Sequence, residues 1–262
     1  MAVKLYRYRF STREGLIVQI DDGWGEIAPL PGFSKETLEE ARRELIHCLQ
    51  SGAPPTLPSV RWGLTCASQK YDSSPLSLPL CAFKIPFPGS THLKLKSAES
   101  IPSYLGKYRL RLDCNRSWTL EQALRFAEKF DPKEFDYLEE PVANFEDLKK
   151  FSEQTAFPIA VDESFREGAP YWELPSLVAV VIKPMLTGHI PHLPYPVVLS
   201  SSFETSLGIL QIARKANPHL PHGLHTFAND LLDPPLQAHS GRLHASEHRI
   251  SFEKLLDSFR PS

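Results

Sequence analysis

Charged residues close the apolar runs of this chain at regular intervals: Asp113 after RL, Glu139 after YL, Asp162 after IAV and Lys183 after VAVVI. They stand 26, 23 and 21 residues apart, each about one strand plus one helix. Parallel strands joined by helices would carry all four side chains to the carboxyl end of one sheet, where barrel enzymes keep their sites. Lys94 and Lys96, two apart in HLKLK, share one face of a further strand. The runs PLCAF, HLKLK, YRLRLDC, FDYLEEP, PIAVDES, VAVVIKP, PVVLSSSFE and GLH number eight, several separated by helical patterns such as Leu120–Phe130 and Phe145–Glu153. Eight strands within about 150–170 residues predict an α/β fold, a compressed (β/α)-barrel.

The first stretch has a different rhythm. KLYRYRF and GLIVQID alternate as antiparallel strands around the turn STREG, and a Gly- and Pro-rich loop follows from Gly23 to Phe33. Ser34 is the expected cap of a helix with Glu36 in its first turn, and GAPPTLP closes the unit. The expected organisation is a small α+β unit over residues 1–60, a barrel over 61–235, and a segment over 236–262 returning to the first unit.

Lys and Arg number 29 against 31 Asp and Glu, a net charge of −2, which argues against a nucleic-acid-coating or membrane-surface protein. The longest purely apolar run is Leu177–Ile182, six residues against the ~20 of a bilayer span. MAVKLYRYRF lacks a signal-peptide pattern, so a cytoplasmic location is expected. The four cysteines, scattered with no C-x-x-C pair, fit reduced thiols. Proline, at 24 residues, predicts short, stiff connections.

Three carboxylates at one sheet end repel one another unless a cation lies among them. Oxygen ligands without Cys or His favour Mg²⁺ over zinc, with Mn²⁺ able to take its place. Lysines flanking such an ion suit proton abstraction beside a carboxylate, the cation holding the developing negative charge. Taken singly, such residues are more often solvated loop residues or helix caps, and Asp113 and Asp162 could simply cap the next helices; five charged residues in one-strand-one-helix register do not read so. His219, His222 and His225 are spaced by three, but Pro221 and Gly223 interrupt any helix that would align them for zinc. There is no G-x-S-x-G elbow, no G-x-G-x-x-G and no P-loop.

The order LKLK, RLDCNRSW, YLEEP, VDES and VVIKPMLTG resembles the enolase superfamily. With GWGEIAPLPGFSKET and SSSFETSLG, the chain is most similar to the o-succinylbenzoate synthase family of menaquinone biosynthesis, from about Leu5 to about Thr226. The resemblance implies an N-terminal capping domain on an enolase-type barrel. It implies that Asp113, Glu139 and Asp162 bind Mg²⁺, that Lys96 is base and then acid, and that Lys183 stabilises the enediolate from the opposite face. The implied reaction is a hydro-lyase step, syn dehydration of 2-succinyl-6-hydroxy-2,4-cyclohexadiene-1-carboxylate. Expected substrate contacts are Lys94, Arg111 and Asn115 around the metal rim, Ser200, Ser201 and Ser202 on the succinyl carboxylate, and Pro31 and Gly32 closing over the site.

The chain is shorter than this family leads one to expect. Only 13 residues, Ser97–Arg109, join the second and third strands, and Pro184–Pro196 join the sixth and seventh. A crossover needs about a dozen residues and usually a helix, so the outer helical ring is expected to be incomplete there. The expected partner is a small carboxylate, the expected assembly a monomer or weak homo-oligomer, with no nucleic acid and no membrane. N-succinylamino acid racemase or dipeptide epimerase is the alternative activity, and a non-catalytic binding module the alternative of another class.

Overall fold

The computed structural model describes residues 2–10, 13–226, 231–251 and 255–259. The N-terminal unit contains strands β1 (Val3–Phe10), β2 (Arg13–Ile20) and β3 (Gly23–Ile27), then helices α1 (Leu38–Ser51) and α2 (Pro58–Ala67). Next come β4 (Leu76–Pro79), β5 (Ala82–Phe83), β6 (His92–Leu95), β7 (Arg109–Asp113), α3 (Leu120–Lys129), β8 (Phe135–Glu139) and α4 (Phe145–Gln154). They are followed by β9 (Ile159–Val161), α5 (Glu163–Arg166), β10 (Leu177–Ile182), α6 (Pro184–Thr187), β11 (Val197–Leu199) and α7 (Ser206–Ala213). Short strands β12 (Leu232–Asp233), β13 (Gln237–His239), β14 (Arg242–Ala245), β15 (Arg249–Ile250) and β16 (Leu256–Phe259) complete the order.

The N-terminal sheet is antiparallel, in the order β16-β1-β2-β3, so the last strand pairs with the first. GLIV, at the centre of β2, is buried on both faces because two cores use it. Leu16 and Val18 pack with Leu5, Ala41, Leu45 and Val60 of the small core, while Ile17 joins Tyr8 and Trp24 in the main one. The sheet thus lies between its own helices and the barrel. α2 sits close on β3 because Gly25 and Gly63 let the backbones approach: a Cβ on Gly25 would stand 1.9 Å from the Gly63 carbonyl. α2 runs through residue 60.

The first helix begins later than its sequence suggested. Thr37, not Ser34, is the cap: it accepts from the Glu40 N–H while the Glu40 carboxylate accepts from the Thr37 N–H. The S/T-x-x-E pattern holds for Thr37 and fails for Ser34, whose third successor is Thr37 itself. Ser34 Oγ instead accepts from Leu30 N at 2.8 Å, tightening the loop.

Seven parallel strands, β5 to β11, follow one another in sequence order around the larger unit. The run read as an eighth strand supplies only bridge residues. His222 pairs with Leu80 and Gly223 with Ser200, so residues 222–223 join the last strand back to the first. Cys81 N donates to His222 O at 2.9 Å and Gly223 N to Leu199 O at 2.8 Å. His222 is buried and neutral, held down at about 4 by burial, with Nδ1 accepting from Leu199 N at 2.9 Å.

The outer ring is thin where the connections are short. Only a 3₁₀ segment, Ala98–Ser103, lies between β6 and β7, and only the one-turn α6 between β10 and β11. Full helices α3 and α4 cover the next strands, each with a side-chain cap, Thr119 and Asn144. Among the described residues, no helix is long and apolar enough to cross a membrane.

Candidate active site

Register decides which side chains share a level at the carboxyl end. Asp113 pairs directly with Glu139, and Glu139 with Ala160, two residues before Asp162. Lys94 pairs with Arg111, which puts Lys96 level with Asp113. On the far side Ile182 pairs with Leu199, which sets Lys183 beside Ser200. The even-numbered offsets keep all of these side chains on the interior face.

Three lysines are interleaved with three carboxylates. Lys94 Nζ lies 2.8 Å from Asp113 Oδ2 and 2.7 Å from Glu139 Oε2. Lys96 Nζ lies 2.5 Å from the same Asp113 oxygen and 3.3 Å from Asn115 Oδ1. Lys183 pairs with Asp162 Oδ2, whose other oxygen faces Arg166 Nε at 3.3 Å. Burial raises Asp113, but Lys94 and Lys96 together carry it well below the ordinary carboxylate range. Glu139 goes the other way: burial, with Asp113 and Asp162 adding repulsion against the pull of Lys94, pushes it up to about 7. Burial pulls Lys94 and Lys183 down, yet their carboxylate partners more than offset it and both are raised.

Glu140, immediately after Glu139, turns away at φ 44°. Its carboxylate accepts from Asp162 N at 2.9 Å, Ser164 N at 2.6 Å, Ser164 Oγ at 2.9 Å and Arg116 Nε at 3.2 Å. It ties the end of β8 to the turn that carries Asp162.

The pocket above these pairs encloses roughly 660 Å³ of empty space, open solvent at its mouth included. Its polar wall contains Lys94, Lys96, Asp113, Asn115, Lys183, Ser200 and Ser201; its apolar wall contains Leu30, Phe33, Phe83, Leu186 and Phe203. Glu139 and Asp162 are not in the wall but behind their lysines, almost fully buried.

Some expected contacts fall elsewhere. Arg111 is buried below the pocket: Nε donates to Asp136 at 2.6 Å, Nη1 to Pro221 O at 2.8 Å, and its guanidinium stacks 4.9 Å over Tyr137. One strand step of two residues, about 6.5 Å, takes it from the level of Asp113 into the barrel interior. Ser202 is buried outside the wall, its Oγ without a hydrogen-bond partner among the described residues. Pro31 and Gly32 face a separate cleft on the N-terminal unit, because the turn from Leu30 to Ser34 points them outward and leaves Leu30 and Phe33 facing the pocket. Sequence reading missed the apolar wall. Cys81 and Phe83 were detectable by parity, two apart in the run PLCAF; Phe203 had only its place in SSSFETS.

Could these residues hold a cation? The donors are three carboxylates on neighbouring strand ends, without thiolate or imidazole, which suits a hard divalent ion. Among the described residues no three of them gather into a ready-made coordination shell, since each is paired with a lysine. Glu139 is nevertheless raised by burial, with repulsion from Asp113 and Asp162 added, despite its Lys94 contact, and such a carboxylate set fits a further cation.

The family model described as "MenC, N-terminal domain" matches residues 1–71, and "Enolase C-terminal domain-like" matches residues 80–182. The chain is 38% identical to an o-succinylbenzoate synthase of Klebsiella pneumoniae (strain 342), covering 86% of this chain and 87% of that one. Among solved structures, MenC from Desulfotalea psychrophila superposes with a TM-score of 0.67 at 16% identity, over 93% of this chain and 99% of that one. An o-succinylbenzoate synthase from Thermosynechococcus elongatus, complexed with Mg in its active site, superposes at 0.57 with 19% identity, over 86% and 92% of the two chains.

Proposed function

The chain belongs to the o-succinylbenzoate synthase family of the enolase superfamily, and on that footing we propose that it dehydrates 2-succinyl-6-hydroxy-2,4-cyclohexadiene-1-carboxylate to o-succinylbenzoate. The observation that carries the reading is the placement of Lys96 and Lys183 across one pocket, each paired with a carboxylate of the buried trio.

In this reading Lys96, uncharged, takes the proton from the ring carbon that bears the carboxylate. The same ammonium then gives its proton to the C6 hydroxyl, which leaves as water, and the ring becomes aromatic. One lysine serving both steps makes the elimination syn. Lys183 stays charged and faces the negative charge that grows on the substrate carboxylate, where a fixed cation lowers the barrier. Asp113, Glu139 and Asp162 would hold Mg²⁺, or Mn²⁺ in its place, and a cation bound there supplies positive charge for the substrate carboxylate as it gains electron density. Lys94, between Asp113 and Glu139, bridges the two carboxylates and keeps Asp113 ionised. Asn115 orients Lys96, and Ser200 and Ser201 offer hydroxyls to the succinyl carboxylate. We place the activity in the cytoplasm, on a free small carboxylate, in a monomer or weak homo-oligomer; the four cysteines are free and buried.

Proton NMR of the diene incubated with protein and Mg²⁺ tests the assignment: aromatic signals of the product are expected. Exchange of an α-proton of an N-succinylamino acid for deuterium, without any dehydration of the diene, would move the assignment to the racemases. Metal binding with neither reaction would leave a binding module.

A further inference from the structure

Phe203 combines two features that work against stability. Its φ is 62°, the left-handed region that glycine enters freely and a bulky side chain enters only under strain. The residue is 53% exposed, so little burial offsets that strain. The ring lies in the wall of the pocket, as does Phe33, itself 52% exposed, from the N-terminal unit.

The surrounding contacts hold this conformation from both sides. Before it, Ser202 N donates to Glu204 Oε2 at 2.6 Å; after it, Thr205 Oγ1 donates to Glu26 Oε2 at 2.6 Å. Arg13 reaches across from β2: Nε donates to the Phe203 carbonyl at 3.3 Å, Nη1 to Pro29 O at 2.9 Å, and Nη2 to Ala28 O. One guanidinium therefore fastens the loop that leads to Leu30 and Phe33 to the loop that carries Phe203. Its planar fork suits three carbonyls in a way an ammonium does not.

We propose that Phe203 is a specificity-determining residue that covers the apolar ring of the substrate against Phe33, and that Arg13 is its positioning residue, locking the two rims of the pocket together. This deepens the synthase reading and rests on it, since a ring-bearing carboxylate is what such a rim would select. The charged end of the substrate meets lysines and serines, and its ring meets Leu30, Phe33 and Phe203.

The test compares wild type with Phe203→Ala, Phe203→Gly, Arg13→Met and the double variant Arg13→Met/Phe203→Ala. Steady-state dehydration is measured along with calorimetric binding of o-succinylbenzoate. Loss of the ring contact should raise KM and weaken product binding by roughly tenfold, the factor that corresponds to about 1.4 kcal/mol, while kcat changes by less than about threefold. Arg13→Met should raise KM likewise, Arg13→Lys should not restore it, and the double variant should be no worse than Phe203→Ala, because both act through one ring. Phe203→Gly should melt no lower than wild type, its strain being relieved. Unchanged KM and product affinity in Phe203→Ala, or additive effects in the double variant, would overturn the proposal while leaving the synthase activity standing. Wild-type protein that neither turns over the diene nor binds the product would remove the synthase reading, and this inference with it.

Discussion

Lys96 and Lys183 approach one pocket from strand ends four places apart around the barrel, Lys96 donating to Asp113 Oδ2 at 2.5 Å and Lys183 to Asp162 Oδ2. The two pairs differ in burial. The Lys96 side chain is 36% exposed and that of Lys183 16%, while both aspartates are nearly inaccessible. Removing Lys96 leaves Asp113 still held by Lys94, so Lys96→Ala should change stability by no more than about 1 kcal/mol. Removing Lys183 takes away the closer and more buried of the two cations on Asp162 and leaves only the longer Arg166 Nε contact at 3.3 Å; Lys183→Ala should lose about 3 kcal/mol. Urea unfolding of the two variants without added metal checks the contrast, which equal midpoints would refute.

Glu140 offers a way to perturb metal binding without touching a proposed ligand. Its carboxylate fixes the backbone N–H of Asp162 and both the N–H and hydroxyl of Ser164. Glu140→Gln keeps the shape but turns an amide NH₂ toward donors. Mg²⁺ affinity measured by calorimetry should fall about 10–100-fold, as for other residues that orient ligands. An affinity within twofold of wild type would show that Asp162 is placed without it.

Glu204 ties stability to pH outside the catalytic centre. Burial, with Glu26 adding repulsion, pushes it up to about 7 from an ordinary 4.5. The folded state therefore holds a proton between these values that the unfolded chain has released, so stability should fall as pH rises from about 4.5 through 7. The loss is at most about 3 kcal/mol, at 1.36 kcal/mol per pH unit. Glu204→Gln should abolish this component, melting at or above wild type at pH 8 and gaining nothing at pH 5. Parallel melting curves across pH 5–9 would contradict the assignment.

The contact of α2 with β3 depends on two glycines. A methyl on Gly25 would meet the Gly63 carbonyl carbon at 2.7 Å and its oxygen at 1.9 Å, and both are backbone atoms that cannot swing aside. Gly25→Ala should cost about 3–5 kcal/mol, at the severe end for a single substitution. A thermal midpoint within a degree or two of wild type would show that the N-terminal unit adjusts more freely than its packing implies.

The residues that sequence spacing singled out, Asp113, Glu139, Asp162 and Lys183, converge because the interval between strand ends encodes which side chains share a level. Parity along a strand encodes the face but not the depth. Arg111 shares a face with Asp113 yet ends in the barrel interior, whereas Lys94, equally deep, has a stem long enough to reach Asp113 and Glu139. The thin outer ring was legible in two proline-bearing connections of 13 residues. The closing of the barrel was legible in place but not in form: the run GLH marked the eighth position, yet His222 and Gly223 make only single bridges there, not a strand. The rim was not legible, since a left-handed, half-exposed phenylalanine has no periodic signature and its support comes from Arg13, 190 residues away. The first helix shows how local chemistry settles a boundary: of two hydroxyl residues, the one with a carboxylate three positions on becomes the cap.

The most direct test of the central claim is an ultraviolet assay of the diene with purified wild type and Lys96→Ala, each with Mg²⁺ and with excess chelator. Metal-dependent aromatisation by wild type, reduced about 10²–10⁴-fold or more in a Lys96→Ala protein that melts like wild type, is the predicted result. Inert wild type with metal bound, or a Lys96→Ala variant of near-normal rate, would contradict it.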